Sequence, residues 1–185
     1  MKLNRRKFFK GCFVAAGGAF LSRRYAMAMS NRNDTRLFDS FNKKHFPTRQ
    51  LGQTGMEVSA IGFGGIVVMN AQPGHAAEVV AQSVEAGINY FDVAPTYGDA
   101  EIKLGPALKP FRKNVFLACK TTQRNKKEAA EELENSLERL QTDYLDVYQL
   151  HAITEVEKDV KAALSKTGAI QTFLEAKKNG CTSRL

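Results

Sequence analysis

From about residue 47 onward, short apolar runs alternate with amphipathic helical patterns. Asn89-Tyr90-Phe91, Val115-Phe116-Leu117-Ala118-Cys119 and Leu145-Asp146-Val147-Tyr148-Gln149-Leu150 each have the length and composition of a buried strand. Ser59-Ala60-Ile61-Gly62-Phe63-Gly64-Gly65 reads as an earlier strand with its exit loop. Before it, Arg49 to Val58 alternates apolar and polar residues around a Gly-containing turn, which predicts a hairpin. Between the runs, Ala76, Val79, Val80 and Val84 share one helical face, and Gly87 ends that helix. Ile102, Leu104, Ala107 and Leu108 predict a short helix stopped by Pro110. Ala130, Leu133, Leu137 and Leu140 make a core-facing stripe, with Asn125 and Glu128 spaced as a cap at its start. Ile170, Phe173, Leu174 and Lys177 mark a last helix, closed by Asn179-Gly180. A hairpin followed by four strand-helix units is the order of a parallel α/β fold.

The first residues follow a different pattern. Asn4-Arg5-Arg6-Lys7-Phe8-Phe9-Lys10 is basic, Gly11 to Leu21 is mildly apolar, and Ala26-Met27-Ala28 offers small residues for cleavage. This is the layout of an export signal, and the arginine pair resembles the twin-arginine type, which carries folded proteins. The apolar stretch is eleven residues long and holds three glycines. A membrane-crossing helix needs about 20 residues, so no stable membrane anchor is expected. The expected organisation is an export signal over 1–28, a polar linker over 29–46 and a barrel domain over 47–185. The expected destination is the periplasm, reached through the twin-arginine machinery.

Charge changes meaning once that signal is set aside. The chain carries 27 Lys and Arg against 19 Asp and Glu, a formal charge of +8. Residues 1–28 hold seven of the basic residues and no acidic one, so the remainder balances to +1. A nucleic-acid partner would need a basic face on the folded part, and none is expected. Three cysteines make no disulfide framework, and no His/Cys cluster has metal-ligand spacing, so no metal is expected. Cys12 lies within the signal. Cys119 alternates with Lys120 along its strand, so it faces the helices and packs there.

Candidate chemistry gathers where the runs end. Asp92, Lys120 and His151 each follow an apolar run, and Tyr97 lies just beyond Asp92. In a parallel barrel those strand ends form one face. An acid, a phenol, an amine and an imidazole there make a proton-transfer site. Taken singly, each residue has an ordinary structural role open to it. Gly62-Phe63-Gly64-Gly65 also invites a dinucleotide-fold reading, with Asp92 on the ribose. That fingerprint needs a third glycine and a helix opening inside the glycine loop, and both are missing.

The segment Gly87-Ile88-Asn89-Tyr90-Phe91-Asp92-Val93-Ala94-Pro95-Thr96-Tyr97-Gly98-Asp99-Ala100-Glu101, continuing to Leu104-Gly105, resembles the signature of the aldo-keto reductases. Leu51 to Gly65 resembles that family's opening hairpin and first strand, and Lys120 and His151 match its remaining site positions. The match runs from about Arg49 to Gly180. The resemblance implies a TIM-type parallel (β/α) barrel and a nicotinamide cofactor, usually NADPH or else NADH. It also implies interconversion of a carbonyl and an alcohol. Tyr97 would be the general acid that protonates the carbonyl oxygen as hydride reaches carbon. A phenol's pKa is about 10 in water, and the Lys120 ammonium would lower it. Asp92 would pair with Lys120, and His151 would donate to the substrate oxygen and orient it. His151 and Tyr97 are thus the substrate-binding positions, and Gly64, Gly65 and Asp92 the cofactor-binding ones.

A complete eightfold barrel takes about 200 residues or more, and 157 remain after the signal. The expectation is therefore the N-terminal half of a barrel, truncated, with open strand edges before the first and after the fourth barrel strand. Such edges favour self-association. Cofactor binding by the chain alone is expected to be weak or absent, and turnover by the chain alone is a separate question from its ancestry. The alternative reading is a non-catalytic remnant or binding module with an incomplete cofactor site.

Overall fold

The structure, a computed structural model, describes residues 45–184. The expected signal and most of the expected linker lie outside the described residues, as does Cys12. The linker's last residue is already engaged, since Phe46 donates its N–H to Ala86 O at 3.1 Å.

An antiparallel hairpin opens the domain: β1 (Thr48–Gln50) pairs with β2 (Glu57–Ser59), Thr48 opposite Ser59. Five parallel strands follow in unbroken sequential order: β3 (Phe63–Gly64), β4 (Tyr90–Asp92), β5 (Phe116–Thr121), β6 (Leu145–Leu150) and β7 (Thr182–Arg184). The helices between them are α1 (Pro73–Glu85), α2 (Ala100–Leu108), α3 (Lys126–Leu140) and α4 (Ala169–Lys178). This is the arc of a parallel (β/α) barrel. Because each strand neighbours its successor, the order never reverses, which removes the switch point that a doubly wound dinucleotide fold needs.

Alternation along the strands divides the side chains. Phe91, Leu117, Cys119 and Tyr148 face the helices in the main core with Val80, Leu104, Leu133 and Phe173. The opposite face holds a smaller apolar cluster of Met56, Val58, Ala118 and Val147, with Tyr90 and Phe116 packed against it. Met56 and Val58 come from the hairpin, so the hairpin covers the inner face at the strands' N-terminal end. Asn89 fastens it there. Its Oδ1 accepts from Ser59 N at 2.7 Å, its own N–H donates to Ser59 Oγ at 3.1 Å, and its Nδ2 donates to Glu57 O at 2.9 Å.

The structure corrects several expectations. The stretch Ser59–Gly65 is not one strand: β2 ends at Ser59, the chain bends, and β3 is two residues long. Gly65–Val68 is then a 3-10 turn. Helix α1 opens on Pro73-Gly74, Pro73 needing no N–H partner in the first turn. Ile102 and Leu174 are exposed rather than core-facing. On α2 Leu104, Ala107 and Leu108 face inward as expected, joined by Ala100 and Glu101, whereas on α4 the inward positions are Ala169, Thr172, Phe173 and Ala176, a set rotated by one residue. The α3 stripe keeps Leu133 and Leu140 but buries Ala129 and Ser136 in place of Ala130 and Leu137. The strand after α4 also differs: β7 pairs with β6, Leu145 opposite Thr182, so the fourth barrel strand is not an edge. Among the described residues the edges of this sheet are β3 and β7. No helix among the described residues is long and apolar enough to cross a membrane.

Candidate active site

The four proton-transfer candidates converge at the C-terminal ends of β4, β5 and β6. Asp92 ends β4 and Lys120 is the penultimate residue of β5. The strands pair with Asp92 opposite Ala118, which sets Lys120 one pleat beyond Asp92 on the same face. Lys120 Nζ forms an ion pair with Asp92 Oδ1 and donates to Val93 O at 3.1 Å. The lysine side chain is 13% exposed and the aspartate 32%. A buried ammonium needs such partners, because losing water without them is heavily unfavourable.

Tyr97 lies in the turn between β4 and α2. Its N–H donates to Ala94 O at 3.0 Å, and its carbonyl accepts from Ala100 N at 3.0 Å. Gly98 follows with φ of +55°, a left-handed conformation that favours glycine, and a Cβ there would meet Met69 at 3.1 Å. Lys120 Nζ sits 5.6 Å from the Tyr97 ring centroid. His151 follows β6 directly, its N–H donating to Thr121 O at 2.8 Å. Its ring meets Tyr97 edge-on, with centroids 5.8 Å apart and planes at 88°. Thr96 Oγ1 lies 3.4 Å from His151 Nδ1, the tautomer deciding which atom donates. Asp92, Lys120, Tyr97 and His151 therefore form one continuous chain of contacts.

The glycines of β3 differ from each other. Gly64 pairs with Asp92, and a Cβ built on it would have no atom within 4 Å. Gly65 is confined: a Cβ there would lie 2.9 Å from Asp92 O and 2.9 Å from Val93 Cγ2. Close approach of the β3 exit to β4 thus requires glycine at 65, while Gly64 borders open space beside the acid.

Three groups around the site escaped sequence reasoning. Glu101, on α2, is a fully buried carboxylate that accepts from Cys119 Sγ at 3.3 Å and Arg139 Nη1 at 3.1 Å. Its signal was a carboxylate at position 101 of the apolar face through 104 and 108. Cys119 is buried as expected, and burial, reinforced by the Glu101 carboxylate, pushes its thiol well above the usual range. Glu132, on α3, accepts from Thr121 Oγ1 and from Thr122 N at 2.9 Å, holding the end of β5 just past Lys120. Arg124, on the loop after β5, pairs with Asp159, on the π-helical turn Val156–Lys161 after β6. Among the described residues, no group of three or more His, Cys, Asp or Glu side chains is arranged to hold a metal ion.

Comparison with known proteins identifies the family. The family model described as aldo/keto reductase family matches residues 60–180. Aldo-keto reductase YhdN of Bacillus subtilis is 36% identical over 120 residues, covering 55% of this chain and 36% of that protein. The uncharacterized oxidoreductase YqkF of the same organism is 31% identical over 146 residues, covering 71% of this chain and 45% of that one. Among solved structures, aldo-keto reductase AKR11C1 from Bacillus halodurans in its holo form superposes with a TM-score of 0.65 at 32% identity. That match covers 75% of this chain and 49% of that one. An aldo-keto reductase from Klebsiella pneumoniae in complex with NADPH gives 0.62 at 28% identity, covering 76% and 49%. The chain thus spans less than half the length of each of these relatives. Over the residues it does span, sequence and fold agree, and the chain belongs to the aldo/keto reductase family.

Proposed function

We propose that this protein is an NADPH-dependent oxidoreductase acting on small aldehydes, ketones or the corresponding alcohols. The observation that carries the reading is the contact chain Asp92–Lys120–Tyr97–His151 at one end of the sheet. The site fits the reacting end of a nicotinamide cofactor, because Gly64 leaves open space beside Asp92 at the strand ends. Gly64, Gly65 and Asp92 are the positions assigned to hold it, and when bound it supplies the hydride.

The residues divide the remaining work. Tyr97 gives its hydroxyl proton to the carbonyl oxygen as hydride reaches the carbonyl carbon, so the product is the neutral alcohol. The Lys120 ammonium faces the phenol and stabilises the negative charge left on it. Asp92 keeps that ammonium in place, and Val93 O fixes its approach. With His151 Nδ1 against Thr96, Nε2 is the nitrogen that meets the substrate oxygen. Reduction of an aldehyde panel followed by NADPH absorbance, with the second half of the barrel supplied by a homologous half-barrel, tests the assignment. Tyr97→Phe keeps the ring and should lower turnover by about 10²–10⁴-fold, the usual worth of a positioned general acid. Lys120→Met should lose turnover as well. Near-normal rates in Tyr97→Phe would remove the tyrosine from the mechanism. A wild-type protein completed in this way that never turns over would leave the alternative of a non-catalytic binding module.

We also propose export by the twin-arginine route to the periplasm, supported by the sequence of residues 1–28. Arg5→Lys combined with Arg6→Lys should keep the precursor in the cytoplasm in a fractionation assay. Normal cleavage and export of that double variant would contradict the route.

A further inference from the structure

The imidazole of His151 stands on a backbone that has left the sheet. Beyond its N–H, which bonds to Thr121 O, the chain turns at once, and Ala152 adopts φ of +54°, a conformation unfavourable for a residue with a Cβ. One side chain meets the whole turn. Arg124 Nη2 donates to His151 O at 2.6 Å and to Ala152 O at 3.2 Å, while Nη1 donates to Thr122 O at 2.9 Å. Arg124 Nε pairs with Asp159 Oδ1 at 3.0 Å. The other carboxylate oxygen of Asp159 accepts from Thr154 N at 2.7 Å, Glu155 N at 2.8 Å and Thr154 Oγ1 at 3.2 Å. The two side chains are 16% and 15% exposed.

A single guanidinium therefore touches the exit of the lysine-bearing strand and the exit of the histidine-bearing strand. We propose that Arg124, held by Asp159, is a positioning residue that aims the His151 ring at Tyr97. The proposal deepens the oxidoreductase reading and takes its importance from it. The guanidinium suits the task because its donors lie in one rigid plane and serve three carbonyls and a carboxylate together. An ammonium offers three donors from one point on a flexible stem.

The chain has three histidines, His45, His75 and His151, which makes the ring observable. Histidine-labelled full-length protein is compared by ¹H–¹³C NMR, with His151→Asn to assign the signal and Tyr97→Leu to show which part of its shift comes from the Tyr97 ring. In Arg124→Lys and Arg124→Gln, the His151 ring signals should move toward their Tyr97→Leu positions while those of His45 and His75 stay. Asp159→Asn, which leaves the guanidinium–carbonyl bonds available, should move them less, in the same direction. If Arg124→Gln fails to fold, Arg124→Lys and Asp159→Asn decide. Unmoved His151 signals in a folded Arg124→Lys protein would overturn the proposal. So would equal displacement of all three histidines, since that marks a general loss of structure. The oxidoreductase reading fails separately, on the turnover of Tyr97→Phe.

Discussion

At the scale of single residues, the molecule repeatedly settles a charge by surrounding it with backbone. Lys120 reaches Val93 O as well as Asp92, and Asp159 collects two backbone N–H groups as well as Arg124. The backbone N–H of Glu155, that of Thr154 and the Arg124 guanidinium together hold the Asp159 carboxyl well below the usual carboxylate range. An aspartate with a depressed folded-state pKa stabilises the fold above its unfolded value, about 3.9. That stabilisation is lost as pH falls from there through the folded value. Asp159→Asn should therefore lower the urea midpoint at neutral pH, and the gap from wild type should narrow as pH drops below about 4. A gap that stays constant across the acid limb would mean that the carboxylate's charge contributes nothing. Tyr148 and Tyr90 shift the opposite way, since burial pushes both phenols upward, with the Asp92 carboxylate adding to the effect at Tyr90.

At the scale of elements, β5 and β6 are fastened at both ends by an arginine and an aspartate. Near the strand starts, Arg112 pairs with Asp146 at 3.0 Å, donates to Val115 O and Tyr144 O, and stacks 3.8 Å over the Tyr144 ring. Near the strand ends, Arg124 pairs with Asp159 and donates to Thr122 O and His151 O. Helix α3 between these strands starts on a reciprocal cap: Asn125 Oδ1 accepts from Glu128 N at 2.9 Å, and Asn125 Nδ2 donates to Glu128 Oε2. Asn125→Ala should destabilise the domain by about 1 kcal/mol, read as a lower denaturation midpoint with an unchanged slope. No change would show that the cap is redundant. This cap was legible in the sequence, because it depends on residues three apart. The strands carrying Asp92, Lys120 and His151 were legible too, since each is an apolar run ending in a polar residue. Helix facing was less so. The tail stripe Leu133, Leu137, Leu140 fits almost as well as the actual Ala129, Leu133, Ser136, Leu140, and burial of Ser136 against the sheet has no apolar signature. The Arg124–Asp159 pair was illegible because its partners lie 35 positions apart, Arg124 on the loop after β5 and Asp159 on the π-helical turn Val156–Lys161.

At the scale of the whole molecule, the sheet offers β3 and β7 as edges among the described residues. Exposed Ile61, Ile66 and Val67 flank the first of these. Parallel strand edges with apolar neighbours favour association. Sedimentation velocity should show the weight-average mass rising with concentration, and a concentration-independent monomer would show that these edges are protected. β5 has the opposite situation, with β4 on one side and β6 on the other. Its amide hydrogens should be among the slowest in the molecule to exchange with solvent, while those of the two-residue β3 exchange early. Lys120 rides on the central strand β5 and is bound to Asp92 on β4, so fraying that begins at either edge reaches Gly64 and the β7 end well before it reaches the ammonium.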